Sequence, residues 1–324
     1  MTERTMVAAL NDALHHAMRA DPDVVVIGED VGRLGGVFRV TQGLRNAYGA
    51  ERVLDAPLSE TGIVGTAIGM AMMGLRPVAE IQFGDFVWPA VDQIVNEAAK
   101  YRYRTGGTWT VPMVVRMPVG GGIKGGHYHS QVPETVFTHT AGLKVVHPSN
   151  PRDAKGLLLA AIDDPDPVIF LEPKRVCRAV KMDVPDDSYR VPLGEAKVVR
   201  PGAHVTCVAW GAMLYEALAA ASKAADEGVE TEVIDPRTLV PLDVDRIVES
   251  VRKTGRLVVV HESPMTSGFG ADIVSLVTER AFLRLEAPPR RVTGFDTPFP
   301  FSLENDYLPL AHRILPALLE TARY

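Results

Sequence analysis

Cysteine is scarce in this sequence: its 324 residues hold two, Cys177 and Cys207. With no metal-ligand spacing around either, a disulfide or zinc framework is excluded, and both read as reduced core thiols. No apolar run approaches the ~18–20 residues of a membrane helix. The first residues run straight into an amphipathic stretch without a signal-peptide core. Positive charge is not in excess, since 34 Lys and Arg face 40 Asp and Glu for a net charge of -6 and a pI near 5.9. That balance argues against a nucleic-acid partner held by phosphate neutralisation. A Gly-x-x-x-x-Gly-Lys-Ser/Thr phosphate loop and a Gly-x-Ser-x-Gly nucleophile elbow are both missing. The expectation is a soluble, cytoplasmic protein with no membrane and no nucleic-acid partner.

What is present is 46% apolar and 23% charged residues, enough core for two domains of roughly 100–200 residues each. Short β-branched runs alternate with helical patterns, which is how a parallel α/β sheet reads. Helices are expected over 6–20, from Ser59 to about Gly74, after the strand Pro77–Gln82 through Tyr103, and over 151–162 behind an Asn150 cap. Strands are expected at Val24–Ile27, Pro77–Gln82, Met113–Met117, Leu143–His147 and Val168–Leu171. Residues 172–194, with Pro173, Pro185 and Pro192, have a linker's composition. Alternation then resumes, with strands at Val205–Trp210, Thr231–Ile234, Leu257–Val260 and Val292–Phe295. Helices fall between them over 213–227, 243–252 and 270–283, and finally over 308–322. The division is a first domain over 1–180, a linker over 181–200 and a second domain over 201–324.

Three features carry chemistry. Gly120, Gly122 and Gly125 satisfy a dinucleotide-binding spacing after a strand, but His127-Tyr128-His129-Ser130 does not open a helix, so a plain surface loop competes equally. His127 and His129 share one face of an extended segment. Zinc would need a third ligand, and His139 and His147 form no recognised pattern with them. Acid–base work or binding of an acidic substrate suits the pair better. A hydrogen-bonded structural role for His129 stands as an equal alternative. Glu60 follows the cap Ser59, where the helix dipole alone favours an acid. The helix it opens is apolar and rich in small residues, so it is expected to be buried, which makes a carboxylate at its start a functional candidate. Gln82, Phe86 and Trp88 surround a strand-to-helix turn, where aromatics commonly belong to the core.

Many short motifs in order resemble the β subunits of 2-oxo acid dehydrogenase decarboxylases. They include Gly28-Glu29-Asp30-Val31-Gly32, Gly35-Gly36-Val37-Phe38, Pro57-Leu58-Ser59-Glu60, Ala79-Glu80-Ile81-Gln82-Phe83, the run from Asp92 to Arg104, and His129-Ser130-Gln131. Asp235-Pro236-Arg237-Thr238-Leu239, Lys253-Thr254-Gly255-Arg256 and Asp296-Thr297-Pro298-Phe299-Pro300 extend the likeness along the chain. The resemblance implies a transketolase-like α/β fold, in which a pyrimidine-binding domain with a parallel sheet precedes a C-terminal α/β domain. It implies thiamine diphosphate as cofactor. The Gly-Asp-Gly and paired-asparagine signature for its magnesium is absent here, and in that family the α subunit supplies it. A heterotetramer of two α and two β subunits with a shared site is therefore expected, together with a lipoyl acyltransferase core as partner.

By the same resemblance Glu60 bonds a ring nitrogen of the cofactor's aminopyrimidine, Phe86 packs against that ring, and Gln82 and Leu58 lie near it. Phe86 stands where relatives often carry tyrosine. His129 is matched to a histidine near the substrate carboxylate and the incoming lipoyl group. Some relatives bind potassium through backbone oxygens, here near Val111, Met113 and Val114 and around Ala161, Asp164 and Asp166. The substrate implied is a branched-chain 2-oxo acid, with pyruvate or acetoin enzymes as the alternative. An NAD-dependent dehydrogenase built on the glycine loop and a non-catalytic scaffold are readings from other classes.

Overall fold

The computed structural model describes residues 1–324. The first strand-rich unit begins with Thr2–Thr5, whose last residue caps the helix Met6–Ala20 by accepting a hydrogen bond from Ala8 N at 3.3 Å. Met6, Ala9, Leu10, Ala13, Leu14, Ala17 and Met18 of that helix are buried, the three-and-four spacing of one apolar face. That face packs on the helix Pro151–Asp163, whose cap Asn150 accepts from Asp153 N at 2.9 Å.

Beneath these helices lies a seven-stranded sheet. In spatial order its strands are Thr238–Val240, Lys144–Val146, Val168–Pro173, Val114–Val119, Arg76–Glu80, Val24–Gly28 and Val53–Asp55. Every pairing is parallel except the first. The central strands are buried along their whole length, as parallel strands covered on both faces are.

A second sheet runs Arg290–Gly294, Leu257–Pro264, Val205–Ala209, Thr231–Asp235 and Lys197–Arg200, parallel apart from its last strand. The helices Met213–Asp226, Val244–Thr254, Gly270–Ala281 and Ala311–Ala322 cover it. The strand Thr238–Val240 comes from this second half of the chain yet closes the edge of the first sheet. Two buried apolar cores each include residues of both halves.

Three expectations change. The long helix expected between Gln82 and Tyr103 is broken into 3-10 turns at Gly84–Phe86 and Trp88–Ala90, a π-helical stretch Gln93–Ala98 and a short helix Tyr101–Arg104. Gly84 and Pro89 explain the early breaks, the first by helix propensity and the second by its missing N–H. The stretch 172–194 is not wholly linker. Strand Val168–Pro173 extends into it, the helix Lys174–Cys177 follows, and Lys181–Val184 pairs antiparallel with Thr2–Thr5. The helix Glu60–Met72 buries Ile63, Val64, Ala67, Ile68 and Ala71, while Thr61, Gly62, Thr66 and Gly69 face outward. Its apolar composition therefore does not mean burial on all sides. Both cysteines are free and buried, and desolvation pushes each thiol up to about 12. No helix is long and apolar enough to cross a membrane.

Candidate active site

Parallel strands deliver their chain ends to one edge of the sheet, and ligands of open α/β sheets bind beyond the carboxyl ends. Six strands of the first sheet end there, and five of them lead into the residues considered next. Glu29 follows Val24–Gly28, Leu58 to Glu60 follow Val53–Asp55, and Gln82 to Phe86 follow Arg76–Glu80. The glycine loop with His127 and His129 follows Val114–Val119, and Lys174 follows Val168–Pro173.

Ser59 Oγ accepts from Gly62 N at 3.3 Å and so starts the helix that Glu60 heads. Glu60 is half-buried, and its carboxylate takes no hydrogen-bond partner within the chain. Its charge reaches Glu29, whose carboxyl is raised first by burial, then by Glu60 and by Asp30. Two acids thus share this corner, and Glu29 is a member that motif matching had not assigned a role. Leu58 is 77% exposed beside them. Gln82 lies just past its strand and is half-buried.

Phe86 and His129 come together. Their ring centroids are 5.3 Å apart, and Phe83 packs edge-on against both, at 5.5 Å from Phe86 and 4.7 Å from His129. All three contacts are edge-to-face, the arrangement aromatic pairs prefer over a face-to-face sandwich. His127 is exposed and stacks near Tyr128 instead, with centroids 4.0 Å apart. No hydrogen bond or ring contact joins Glu60 to His129 in the single chain.

The glycine loop is not a phosphate cradle. Gly121 N donates to Glu262, Gly122 N to Glu304 Oε1 at 3.0 Å, and Lys124 N to Glu304 Oε2 at 3.0 Å. Amides that a dinucleotide reading needs for pyrophosphate already hold carboxylates, and only the short 3-10 turn Gly126–Tyr128 follows Gly125. That removes the geometric basis for the NAD-dependent alternative. Downstream, Asp85 Oδ1 accepts from Ser130 N at 3.1 Å and Gln131 N at 3.0 Å.

Behind this surface lie two buried charge groups to which the sequence motifs gave no role. Arg116 bonds Glu172 at 2.7 and 2.8 Å and also pairs with Glu80, so three adjacent strands share one guanidinium and two carboxylates. Burial pushes the Glu172 carboxyl up to about 6 despite Arg116. Lys174 is 6% exposed, its Nζ has no hydrogen-bond partner, and it lies 5.6 Å from the Phe83 ring. Burial lowers its ammonium to about 8 against the opposing pull of Asp85, Glu262 and Glu304.

Ala161, Asp164 and Asp166 lie elsewhere, ahead of strand Val168–Pro173 at the other end of the sheet. Lys144 Nζ bonds both carboxylate oxygens of Asp164 at 2.6 Å, and Arg102 bonds Asp166 at 2.6 Å. These side chains are committed to organic cations, which leaves backbone oxygens as the available donors for a metal.

The 2-oxoisovalerate dehydrogenase β subunit of Pseudomonas aeruginosa is 52% identical over 330 residues, covering 97% of this chain and 93% of that protein. The mitochondrial 2-oxoisovalerate dehydrogenase β subunit 2 of Arabidopsis thaliana is 52% identical over 98% of this chain and 89% of its own length. The chain belongs to the family of 2-oxo acid dehydrogenase β subunits. This β subunit is thereby a component of an oxidoreductase. The pyrimidine-binding domain profile of transketolases matches its residues 2–179, and the transketolase C-terminal domain profile matches 194–314. The pyruvate dehydrogenase E1 component β subunit of Acholeplasma laidlawii is 50% identical over 94% of this β subunit and 93% of that chain. A split-gene transketolase solved as an inactive β4 tetramer shares its fold, with a TM-score of 0.81 at 22% identity over 98% of both chains.

Proposed function

We propose that this β subunit forms half of a thiamine-diphosphate-dependent active site that decarboxylates branched-chain 2-oxo acids and passes the acyl group to lipoyl groups of an acyltransferase core. One observation carries the reading. Glu60 presents a carboxylate without a partner at the carboxyl edge of the sheet, on a helix whose outer face of Thr61, Gly62, Thr66 and Gly69 is open for another chain to cover. Exposed Leu58 and Trp88 flank it. The branched-chain preference rests on the relatives at 52% identity. The 50% relatives named for pyruvate dehydrogenase favour the alternative that pyruvate is the substrate.

The residues present fit a pyrimidine ring better than a diphosphate. Glu60 has a free acceptor and Phe86 is a half-buried aromatic beside His129, whereas the loop amides suited to phosphate are taken by Glu262 and Glu304. The α subunit of a two-α two-β heterotetramer would hold the diphosphate and its magnesium. Bound thiamine diphosphate would supply the electron sink for decarboxylation. Glu60 would hold a proton at a ring nitrogen of the aminopyrimidine, and Phe86 would fix the plane of that ring. Gln82 and Leu58 would border it. His129, on its loop, would orient the substrate carboxylate and exchange a proton with the lipoyl acceptor. Potassium at Ala161, Asp164 and Asp166 would be a structural ion bound through backbone oxygens. We place the assembly in the cytoplasm.

The test is decarboxylation of 3-methyl-2-oxobutanoate and pyruvate with thiamine diphosphate and magnesium, in the assembled complex. A higher kcat/KM for the branched acid is the expected result. A preference for pyruvate would retain the mechanism and move this β subunit to the other complex.

A further inference from the structure

We propose that Glu262 and Glu304, both on the C-terminal domain, are positioning residues for the reaction, because they fix the loop that presents His129. The inference rests on the role given to His129 above. Glu304 takes two amides at once, Gly122 N on one oxygen and Lys124 N on the other, both at 3.0 Å, while Glu262 takes Gly121 N. A two-pronged grip on backbone donors requires two acceptor oxygens. Glutamine offers one and turns an NH2 group toward the other amide.

The glycines are the clearance for this grip. A Cβ at Gly120 would lie 2.8 Å from Glu262 Oε1, one at Gly121 2.9 Å from Phe299 Cζ, and one at Gly126 2.8 Å from Phe301 Cδ2. Gly120 and Gly126 also hold φ of +81° and +61°, where a side chain is strained. The pattern that resembles a nucleotide motif therefore serves the approach of the other domain.

Four residues, 125 to 128, separate Lys124 from His129. Within that span Gln131 Nε2 donates to the His127 carbonyl, a tie inside the loop itself. The carboxylate grip is the nearest hydrogen-bonded hold upstream of His129 that comes from the C-terminal domain, and Asp85 on Ser130 and Gln131 is the hold just downstream. Glu304 is itself held firmly. It is buried, and it opens the short helix Glu304–Tyr307, whose Tyr307 packs on Phe299 with ring centroids 4.5 Å apart. The loop between Gly122 and Lys124 is exposed and contributes little apolar burial. Loss of the grip should therefore loosen the loop and spare the core.

The experiment compares Glu304→Gln, Glu262→Gln and Glu304→Asp, each in the full chain assembled with its α partner. It reads hydrogen exchange over residues 120–131, thermal stability, and kcat and KM for 3-methyl-2-oxobutanoate with lipoamide as acceptor. Glu304→Gln should speed loop exchange about tenfold and lower kcat at least about fivefold, with KM within about twofold and the melting temperature unchanged. Glu304→Asp keeps two oxygens and should recover part of the loss. Unchanged loop exchange in both glutamine variants overturns the proposal. A loosened loop with wild-type kcat also overturns it, since loop position would then not matter to turnover. If the wild-type complex turned over neither 2-oxo acid, the reading of the reaction would fall. Loop exchange alone would then decide the grip, faster exchange sustaining it and unchanged exchange ending it.

Discussion

Glu60 and Glu172 show how differently two carboxylates can be used within one sheet. Glu60 stands at a helix start with no partner in its own chain, so replacing it costs the fold little and the proposed chemistry much. Glu60→Gln should lower decarboxylation at least about a hundredfold, the usual scale for a positioned acid–base group, while leaving assembly with α intact. Glu172 instead shares Arg116 with Glu80 inside the core. Its carboxyl, raised by burial to about 6, binds a proton in the folded chain at a pH where the unfolded chain has released it. The resulting stabilisation is fully present below the unfolded value and is lost as pH rises through about 6. It amounts to about 2 kcal/mol between those limits. Melting curves from pH 7 to 5 should therefore separate the wild type from Glu172→Gln, which lacks this gain on acidification; parallel curves would contradict it. At this scale the sequence spoke through motifs alone. Glu60 and His129 stood in recognisable strings, whereas Arg116, Glu262 and Glu304 act through partners up to 182 positions away and leave no local spacing to read.

The helix starts at Ser59 and Asn150 were legible because capping is local, and each accepts a hydrogen bond from an amide three residues on. Thr5 and Asp243 make the same bond, although the sequence reading named neither as a cap. The exposed face of Glu60–Met72 was not legible, since composition reports how apolar a helix is and not which neighbour covers it. That face makes a prediction about the element. A Cβ at Gly69 meets nothing within 4 Å. Gly69→Ala should accordingly stabilise the isolated chain by roughly 0.5–1 kcal/mol through helix propensity. Gly69→Glu should fold as well as wild type yet fail to assemble with α, as read by size-exclusion chromatography. Normal assembly of the glutamate variant would place the α contact on another surface.

The whole molecule joins its halves more closely than a two-domain reading of the sequence suggests. Strand Thr238–Val240 completes the first sheet from the second half, and Arg237 reaches Asp153 at 3.3 Å. Trp210 and Ser263 bond the buried Glu134 at 3.0 and 2.6 Å, and both apolar cores cross the boundary. Alternation of strands and helices gave each sheet; it could not give the exchanged strand, whose three residues carry no period of their own. Calorimetry of the chain should show one cooperative transition, and two separated transitions would contradict this coupling. The same closeness lets C-terminal carboxylates hold a loop of the first domain, while the proposed function leaves the remaining half of the site to another chain. The most direct test of that central claim is thiamine-diphosphate-dependent decarboxylation of 3-methyl-2-oxobutanoate by this chain alone, by α alone, by the two assembled, and by α assembled with Glu60→Gln. Turnover only in the wild-type assembly is the predicted result, and turnover by either chain alone, or undiminished turnover with Glu60→Gln, would contradict a shared site built on Glu60.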